Sequence, residues 1–187
     1  MIKLVVSDLD GTLLDDMKNI NDEFWLVEKQ LSEKGIIFCA ASGRQYYSIL
    51  DSFDRIKERV VIIAENGSYM AQGGEVMHRK ALDKEAGVKF IEIARKIADV
   101  NIVYCCENSA YIEKYDEKFN KEIGIYFKRI ELVDDLTKVD DFLLKFTIYD
   151  YSGAEQNSLK YFKEFEKDYK VVRSEERRVG KECSSGW

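Results

Sequence analysis

The sequence predicts an α/β fold, in which a parallel sheet with crossover helices is followed by a second module of α+β architecture. Over residues 2–66, three short apolar segments alternate with two amphipathic helical patterns, and this order is typical of parallel strands joined by helices. From about Leu82 the pattern changes to one long helical segment and a series of adjacent strand-like segments. The change indicates a module boundary near residues 80–83.

The elements of the first module follow from periodicity and turn residues. Residues 2–7 form a continuous apolar, β-branched run, which predicts a strand buried on both faces. A helix is predicted over residues 20–35, with Asn21 or Asp22 as its N-cap and Gly35 as its C-terminal stop. The remaining elements are a strand over residues 36–42, a helix over 44–53, a strand over 60–66 and a hairpin over 68–80. The hairpin is predicted to turn at Gly73 and Gly74.

The second module is predicted to begin with a helix and to continue with strands. A strand pair that turns near Glu107 to Ser109 is expected within residues 101–115. The other predicted elements are two helices over residues 83–100 and 153–168, and two strands over residues 141–150 and from residue 169 onward.

Composition and charge exclude several classes of function. The net charge of −6, with lysines interspersed among acids, argues against a nucleic-acid surface, which needs clustered Lys and Arg. No apolar run is long enough to span a bilayer, and no export signal follows Met1, so a cytoplasmic location is expected. No membrane or protein partner is predicted.

The cysteines do not suggest a metal site. Cys39, Cys105, Cys106 and Cys183 lack C-x-x-C spacing, and His78 is the single histidine of the sequence. We therefore expect reduced thiols packed in strands.

Two carboxylates one residue apart, Asp8 and Asp10, follow the first predicted strand. Sites in α/β sheets form at the carboxyl ends of parallel strands. Two such carboxylates repel each other unless a cation neutralises them, and Mg²⁺ prefers one or two carboxylates with phosphate oxygens and water. One carboxylate can also attack phosphorus while its neighbour transfers a proton. Gly11 would allow a sharp turn, and Thr12 would add a hydroxyl and an N–H near the two acids. The alternative is that Asp8 and Asp10 are loop acids that cap the next helix.

The next two strand ends also carry polar residues. Ser42 and Gly43 precede a predicted helix, where N–H groups and the helix dipole favour an anion, although Ser42 could simply be an N-cap. Arg44 would pair with phosphate or with a surface acid. Asn66 and Gly67 end the third strand and could form an ordinary turn.

These strand-end segments resemble the haloacid dehalogenase (HAD) superfamily, and within it the Cof-type (HAD-IIB) phosphatases. The resemblance covers residues 1 to about 172 and rests on the motifs DLDGTLL, ASGRQY and ENG at residues 8–14, 41–46 and 65–67. It implies a HAD-type Rossmann-like parallel sheet core, here incomplete, with an inserted α+β cap domain. Residues 1–81 would be the N-terminal part of the core and residues 82–172 the cap.

The resemblance also implies roles for individual residues. Asp8 would be the nucleophile and Asp10 the acid/base, and both would lie at the Mg²⁺ site, Asp10 through its backbone carbonyl. The residues expected to bind the phosphoryl group are Thr12, Ser42 and Gly43. Those expected to contact the rest of the substrate are Arg44, Asn66 and Gly67.

The function expected from this resemblance is a Mg²⁺-dependent phosphatase that acts on small phosphorylated metabolites, such as sugar phosphates, through an aspartyl-phosphate. The alternatives are a phosphosugar mutase, a trehalose- or mannosyl-type sugar-phosphate phosphatase, and a non-catalytic phosphate-binding module. In the second module, Lys145 and the tyrosines could face a substrate, but strand surface and core explain them better; these tyrosines are Tyr104, Tyr111 and Tyr115.

The last 15 residues, 173–187, differ in composition from the rest of the chain. Arg173 to Cys183 resembles the translation of a short-read sequencing adapter, so we expect a non-native segment joined to a chain cut near Val172. The lysine and acidic loop that complete a site of this family would then be missing, and the fragment would have weak activity or none. The alternative is that Lys181 is that lysine. Such a fragment would also leave the first strand as an exposed apolar edge.

Overall fold

The structure, a computed structural model, describes residues 1–172 and contains two β-sheets. The first sheet is built from residues 4–79 and the second from residues 100–150. The predicted non-native segment 173–187, which includes Lys181 and Cys183, lies outside the described residues.

The first sheet has the strand order β1-β2-β3-β4-β5. Strands β1 to β3 are parallel, and β4 and β5 form an antiparallel hairpin. The five strands span Leu4–Asp8, Ile37–Ala41, Val61–Ala64, Tyr69–Gln72 and Glu75–Arg79, and the crossover helices α1 and α2 span Asp22–Glu33 and Tyr46–Ser52. The predicted alternation of strands and helices is confirmed, as is the hairpin.

Helix α1 begins and ends where its sequence signals predict. Asn21 has extended backbone angles, and its Oδ1 accepts a hydrogen bond from the Glu23 N–H at 2.9 Å. This bond satisfies one of the free amides of the first turn. After Lys34, Gly35 has a φ of 66° and its N–H bonds to the Ser32 carbonyl, which ends the helix.

Aromatic side chains from three elements fill the space between the first sheet and its helices. Phe24 of α1 lies edge-on to Phe38 of β2, with ring centroids 4.9 Å apart, and both contact the fully buried Phe53. Complete burial of one such side chain contributes about 1.5–3 kcal/mol. This cluster therefore holds α1 and α2 against the strands whose ends carry the candidate site.

Strand β1 differs from the prediction that it is buried on both faces. Within residues 1–172 it pairs with β2 alone, so it lies at an edge of the sheet. Leu4 and Val6 are each 52% exposed, whereas Val5 packs against the core. The apolar run therefore forms an edge strand with one open face, in agreement with the expected exposed edge.

The second sheet has the strand order β8-β7-β6-β9 and is covered on both faces. Strands β6, β7, β8 and β9 span Val100–Cys106, Ala110–Ile112, Ile130–Leu132 and Leu143–Asp150. Helices α3 and α4 span Lys84–Ala94 and Glu117–Ile123. Alternate residues of β6 point to opposite faces, so that Tyr104 packs with α3 and Val103 packs with α4.

Two elements of this second part were not predicted from the sequence. Helix α4 is short, and its signal was the N-cap Asp116, whose Oδ1 accepts a hydrogen bond from the Phe119 N–H at 2.8 Å. Strand β8 has three residues and pairs in parallel with β7. Elements this short show too few residues to reveal a period.

The helix predicted over residues 153–168 is wrong. The chain forms turns and two short 3₁₀ segments, Leu159–Tyr161 and Lys163–Lys167. The Asp150 carboxylate accepts hydrogen bonds from the N–H groups of Ser152 and Ser158, both at 3.0 Å, and these bonds compete with helical ones.

Aromatic packing fits the 3₁₀ geometry of this segment. Phe162 and Phe165 both lie against Phe90 of α3, and a spacing of three residues places them on one side of a 3₁₀ helix. The strand predicted from residue 169 is not formed over residues 169–172, and its continuation lies outside the described residues.

Cys39, Cys105 and Cys106 are buried free thiols in strands β2 and β6, which confirms the prediction for these three residues. Burial raises the pKa of each thiol and so disfavours the reactive thiolate. No helix within residues 1–172 is both long and apolar enough to cross a membrane.

Candidate functional site

Three parallel strands bring the predicted site segments to one edge of the first sheet. Asp8 is the last residue of β1 and pairs in register with Ala41, the last residue of β2, which in turn pairs with Ile63 of β3. Because parallel strands end on the same side, Ser42 and Glu65 follow at that edge.

The turn after β1 is anchored by the fully buried Leu9. The Leu9 carbonyl accepts hydrogen bonds from the backbone N–H groups of Thr12, Leu13 and Leu14, at 3.3, 3.0 and 2.8 Å. Gly11 has a φ of 75°, a conformation that strains other residues. The turn therefore keeps Asp8 exposed and Asp10 half-buried on either side of a fixed apolar residue.

The Asp10 carboxylate is held by two cations. Arg44 donates hydrogen bonds to it from Nε at 2.9 Å and from Nη2 at 2.6 Å, and the Lys18 ammonium lies 2.6 Å from Oδ1. Burial acts to raise the pKa of Asp10, but the hydrogen bonds and charges of Arg44 and Lys18 outweigh it and lower the pKa. Asp10 is therefore held as a carboxylate, the form that accepts a proton.

Arg44 is a buried structural partner of the acid turn. It is 6% exposed and its guanidinium bonds Asp10, whereas the sequence suggested phosphate or a surface acid. Ser42 Oγ accepts a hydrogen bond from the Arg44 N–H at 3.2 Å. Ser42 does not cap α2, because the N-cap position of that helix is Gln45.

Gly43 lies against the turn that follows β3. A Cβ atom at Gly43 would lie 2.5 Å from Asn66 Oδ1, which is closer than side chains approach one another. A side chain at residue 43 would therefore displace Asn66. The predicted residues Gly43, Asn66 and Gly67 are thus brought together, and all three are exposed.

The turn after β3 has an unusual backbone. Glu65, Asn66 and Gly67 have φ values of 50°, 57° and 93°. Positive φ is uncommon for residues other than glycine and marks local strain, which often occurs at functional sites. The Glu65 N–H bonds to the Arg44 carbonyl at 3.1 Å, so this turn is joined to the segment that follows β2.

Sequence reasoning missed Gln45, which connects this edge to the second sheet. Gln45 is almost fully buried. Its Nε2 donates a hydrogen bond to the Arg129 carbonyl, and its Oε1 accepts from the N–H groups of Lys128 and Arg129, all at 2.9 Å. One amide side chain therefore fixes the segment that precedes β8 against the candidate site.

Lys145 and Glu65 form a second connection that the sequence did not reveal. Lys145, on β9, donates a hydrogen bond to the Gly43 carbonyl at 2.7 Å and lies 2.7 Å from Glu65 Oε2. Strand surface was the favoured explanation for Lys145, and the structure places its ammonium at the candidate site instead. Glu65 was a detectable signal, since it is a charged residue at the end of a buried apolar strand.

The three tyrosines considered within residues 101–115 occupy different environments. Tyr104 belongs to the core beneath α3, Tyr111 donates a hydrogen bond to Asp141 at 3.2 Å, and Tyr115 is exposed.

Oxygen donors for a metal are few at this edge. No group of three or more His, Cys, Asp or Glu side chains arranged for a metal occurs within residues 1–172. The Asp10 carboxylate already binds Arg44 and Lys18, whereas Asp8 is exposed at the end of its strand. Mg²⁺ usually takes one or two protein carboxylates and completes its shell with water and phosphate. Asp8, with a backbone carbonyl of the same turn, fits part of such a shell.

Comparison with known families and proteins gives one consistent result. The model of a family described as haloacid dehalogenase-like hydrolases matches residues 5–179. The 5-amino-6-(5-phospho-D-ribitylamino)uracil phosphatase YbjI of Escherichia coli is 35% identical over 147 residues, which are 78% of this chain and 54% of that protein. Phosphatase YwpJ of Bacillus subtilis is 27% identical over 85 residues, 45% of this chain and 30% of that protein. The chain thus spans about half the length of YbjI.

Solved structures share the fold. A protein from Eubacterium rectale superimposes with a TM-score of 0.81 at 25% identity, over 92% of this chain and 67% of that one. A haloacid dehalogenase-like hydrolase from Bacteroides thetaiotaomicron does so with a TM-score of 0.66 at 27% identity, over 75% of this chain and 55% of that one. Both sheets described above therefore have counterparts in solved proteins.

Proposed function

This chain belongs to the haloacid dehalogenase-like hydrolase family, and we propose that it carries the nucleophile of a phosphatase for a small phosphorylated metabolite. The observation that carries the proposal is the position of Asp8 at the end of a parallel strand, two residues before a carboxylate held by two cations. Because the chain spans about half of YbjI, the activity is proposed for the protein to which this chain corresponds.

In the first step of the proposed reaction, an Asp8 carboxylate oxygen attacks phosphorus and the bond from phosphorus to the leaving oxygen breaks. The product is an aspartyl-phosphate, and the leaving oxygen takes a proton from Asp10, which must bind a proton from solvent beforehand because Arg44 and Lys18 hold it as a carboxylate. In the second step, water attacks phosphorus, Asp10 accepts a proton from that water, and the bond to Asp8 breaks. The low pKa of Asp10 suits the second step, because the carboxylate is the form required there.

Ser42 and Gly43 are proposed to bind the phosphoryl group. They follow β2 at the same edge as Asp8, and the exposed Gly43 presents backbone without a side chain. Mg²⁺ is proposed as the cofactor, with the Asp8 carboxylate and the Asp10 backbone carbonyl as protein donors. When bound, Mg²⁺ neutralises the negative charge that Asp8 and a phosphate bring together.

The proposed substrate class is a sugar phosphate or sugar-alcohol phosphate. The support is the 35% identity to YbjI, which is named for a substrate with a phosphorylated ribityl chain. Residues 82–172 are proposed to act as a cap that covers the phosphoryl group. The contacts of Gln45 and Lys145 support this proposal, since they join residues 129 and 145 to the segment that follows β2.

The test is direct detection of the phosphorylated enzyme. The chain is incubated with p-nitrophenyl phosphate and Mg²⁺, quenched in acid and examined by mass spectrometry for one added phosphoryl group on the peptide that contains Asp8. The group should be present in the unaltered chain and in Asp16→Asn, which removes an exposed acid of the same loop. It should be absent from Asp8→Asn. A phosphopeptide in Asp8→Asn would assign the nucleophile elsewhere.

A chimaera that joins residues 1–172 to the C-terminal part of YbjI gives the second measurement. Its turnover should exceed that of the 187-residue chain and should vanish on Asp8→Asn. Equal phosphate binding without turnover in both chains would favour a non-catalytic phosphate-binding module.

A further inference from the structure

Within residues 1–172, Lys145 of β9 makes polar contacts with the segments that follow β2 and β3. Its Nζ lies 2.7 Å from the Gly43 carbonyl oxygen and 2.7 Å from Glu65 Oε2. A single ammonium therefore joins two segments of the first sheet to the second sheet. Its side chain is 21% exposed, so the contact is largely shielded from water.

Glu65 depends on this cation because it is buried. It is 1% exposed, and its Oε1 has no hydrogen-bond partner within the described chain. Burial raises the pKa of Glu65, and the charge and hydrogen bond of Lys145 act in the opposite direction. A buried carboxylate that loses its cation is strongly unfavourable, so the contact with Lys145 stabilises Glu65 in this position.

Glu65 is also the first residue of the strained turn. It and Asn66 both have positive φ, and such a backbone persists only where its surroundings fix it. On one side the Glu65 N–H bonds to the Arg44 carbonyl, and on the other the Ser68 N–H bonds to the Glu65 carbonyl at 3.2 Å. The Glu65 side chain, held by Lys145, is a further constraint.

We propose that Lys145 is a positioning residue for the candidate site. It holds the Gly43 carbonyl and the Glu65–Gly67 turn together, and so makes the shape of the first sheet's strand ends depend on the second sheet. The inference rests on the proposed function only in treating these strand ends as a site. Lys145 acts through Gly43 and Glu65, and a direct contact of its ammonium with the phosphoryl group forms no part of the proposal.

The two sheets have other contacts that keep them together when Lys145 is altered. Gln45 makes three hydrogen bonds with residues 128 and 129, and the Arg129 guanidinium lies 3.4 Å from the centre of the Tyr47 ring. Replacement of Lys145 should therefore loosen the turn without separating the sheets.

The experiment measures amide hydrogen exchange by NMR in the full chain. The reporters are the N–H groups of Glu65 and Ser68, and the reference amides are those of the β6–β9 ladder. Lys145→Met keeps the length of the side chain and removes its charge. The matched control is Lys84→Met, which breaks an exposed ion pair with Asp140 in the same part of the chain.

Lys145→Met should raise the exchange rate of the two reporter amides by about tenfold or more, while the reference amides stay unchanged. Lys145→Arg, which restores the charge, should recover part of the protection. Glu65→Gln combined with Lys145→Met should recover more, because it removes the orphaned carboxylate. If Lys145→Met alone does not fold, the exchange rates of the reporter amides are measured in this double variant instead.

Titration with inorganic phosphate distinguishes positioning from direct binding. Weaker phosphate affinity together with faster reporter exchange supports the proposal. Weaker phosphate affinity with unchanged reporter exchange would indicate that Lys145 contacts the phosphate directly, and would overturn the proposal. Reporter exchange rates in Lys145→Met equal to those in Lys84→Met would also overturn it. The hydrogen-exchange measurement does not depend on turnover, so its result can be interpreted even if the proposed phosphatase activity is not found.

Discussion

Arg44 and Asp10 form a two-point hydrogen-bonded ion pair that joins the loop after β2 to the turn after β1, with distances of 2.9 Å from Nε and 2.6 Å from Nη2. Such pairs fix orientation as well as distance. The arginine is buried, and the more exposed Lys18 forms an ion pair with the same carboxylate. The acid proposed for proton transfer is therefore held rigidly and in its charged form.

This pair predicts a defined loss of stability in acid. The folded-state pKa of Asp10 lies below its ordinary value of about 3.9, so the stabilisation is complete above about pH 4 and is lost as the pH falls through the lowered pKa. Asp10→Asn should be less stable than the unaltered chain at pH 7 by about 1.5–3 kcal/mol. Below pH 4 the difference should shrink. Urea unfolding at several pH values measures both, with Asp16→Asn as the control, and a constant difference across the range would contradict the assignment.

Gly43→Ala tests the contact between the loop after β2 and the turn after β3. The new Cβ would displace the Asn66 side chain, whose Oδ1 would lie 2.5 Å away. Because that atom ends a side chain that can rotate, the loss of stability should be modest, about 1 kcal/mol. The free energy of phosphate binding should weaken by more than this loss of stability.

Asn66→Gly removes the obstructing side chain and suits the φ of 57°. The double variant Gly43→Ala with Asn66→Gly should therefore regain the stability lost by Gly43→Ala alone. Denaturant unfolding of the two single variants and the double variant completes the cycle. Simple addition of the two effects would mean that the contact does not exist in solution.

Asp150→Ala tests why residues 153–168 do not form a regular helix. The carboxylate accepts hydrogen bonds from the N–H groups of Ser152 and Ser158 and from Asn157 Nδ2. Leaving these donors without an acceptor should cost about 3 kcal/mol. Asp168→Ala, at an exposed residue of the same segment, should cost little. Thermal unfolding of the two variants gives the comparison, and equal midpoints would show that Asp150 is not the organising residue.

Val6→Lys tests the exposed edge of the first sheet. An open apolar edge strand is a template for pairing with another chain, and a lysine on such a strand opposes that pairing. The variant should associate less than the unaltered chain in light scattering over a range of concentrations. Val27→Lys is the matched control, because Val27 is also 52% exposed but lies on helix α1. A similar effect of both substitutions would attribute association to general hydrophobicity.

The sequence was sufficient for the elements whose signals are local. The alternation of strands and helices up to residue 79, the Asn21 cap and the hairpin at Gly73 and Gly74 all follow from short-range pattern. The meeting of Asp8, Ser42 and Asn66 at one edge also follows, since parallel strands end on the same side.

Contacts between distant segments could not be predicted in the same way. Lys145 and Gly43 are 102 residues apart, and Gln45 and Arg129 are 84 apart. Such pairs depend on how two sheets pack, and no short-range pattern encodes that packing. The helix predicted over residues 153–168 failed for a related reason, because Asp150 binds the backbone that the periodicity assigned to a helix.

The way in which Gln45 holds the second sheet has a consequence for how related proteins can diverge. Its three hydrogen bonds are made with main-chain groups of residues 128 and 129 and with neither side chain. Any amino acid with a backbone N–H can supply them, so proline alone is forbidden at these two positions. Residues that face a ligand could therefore be exchanged by mutation, and selectivity retuned, while one amide keeps the two halves aligned.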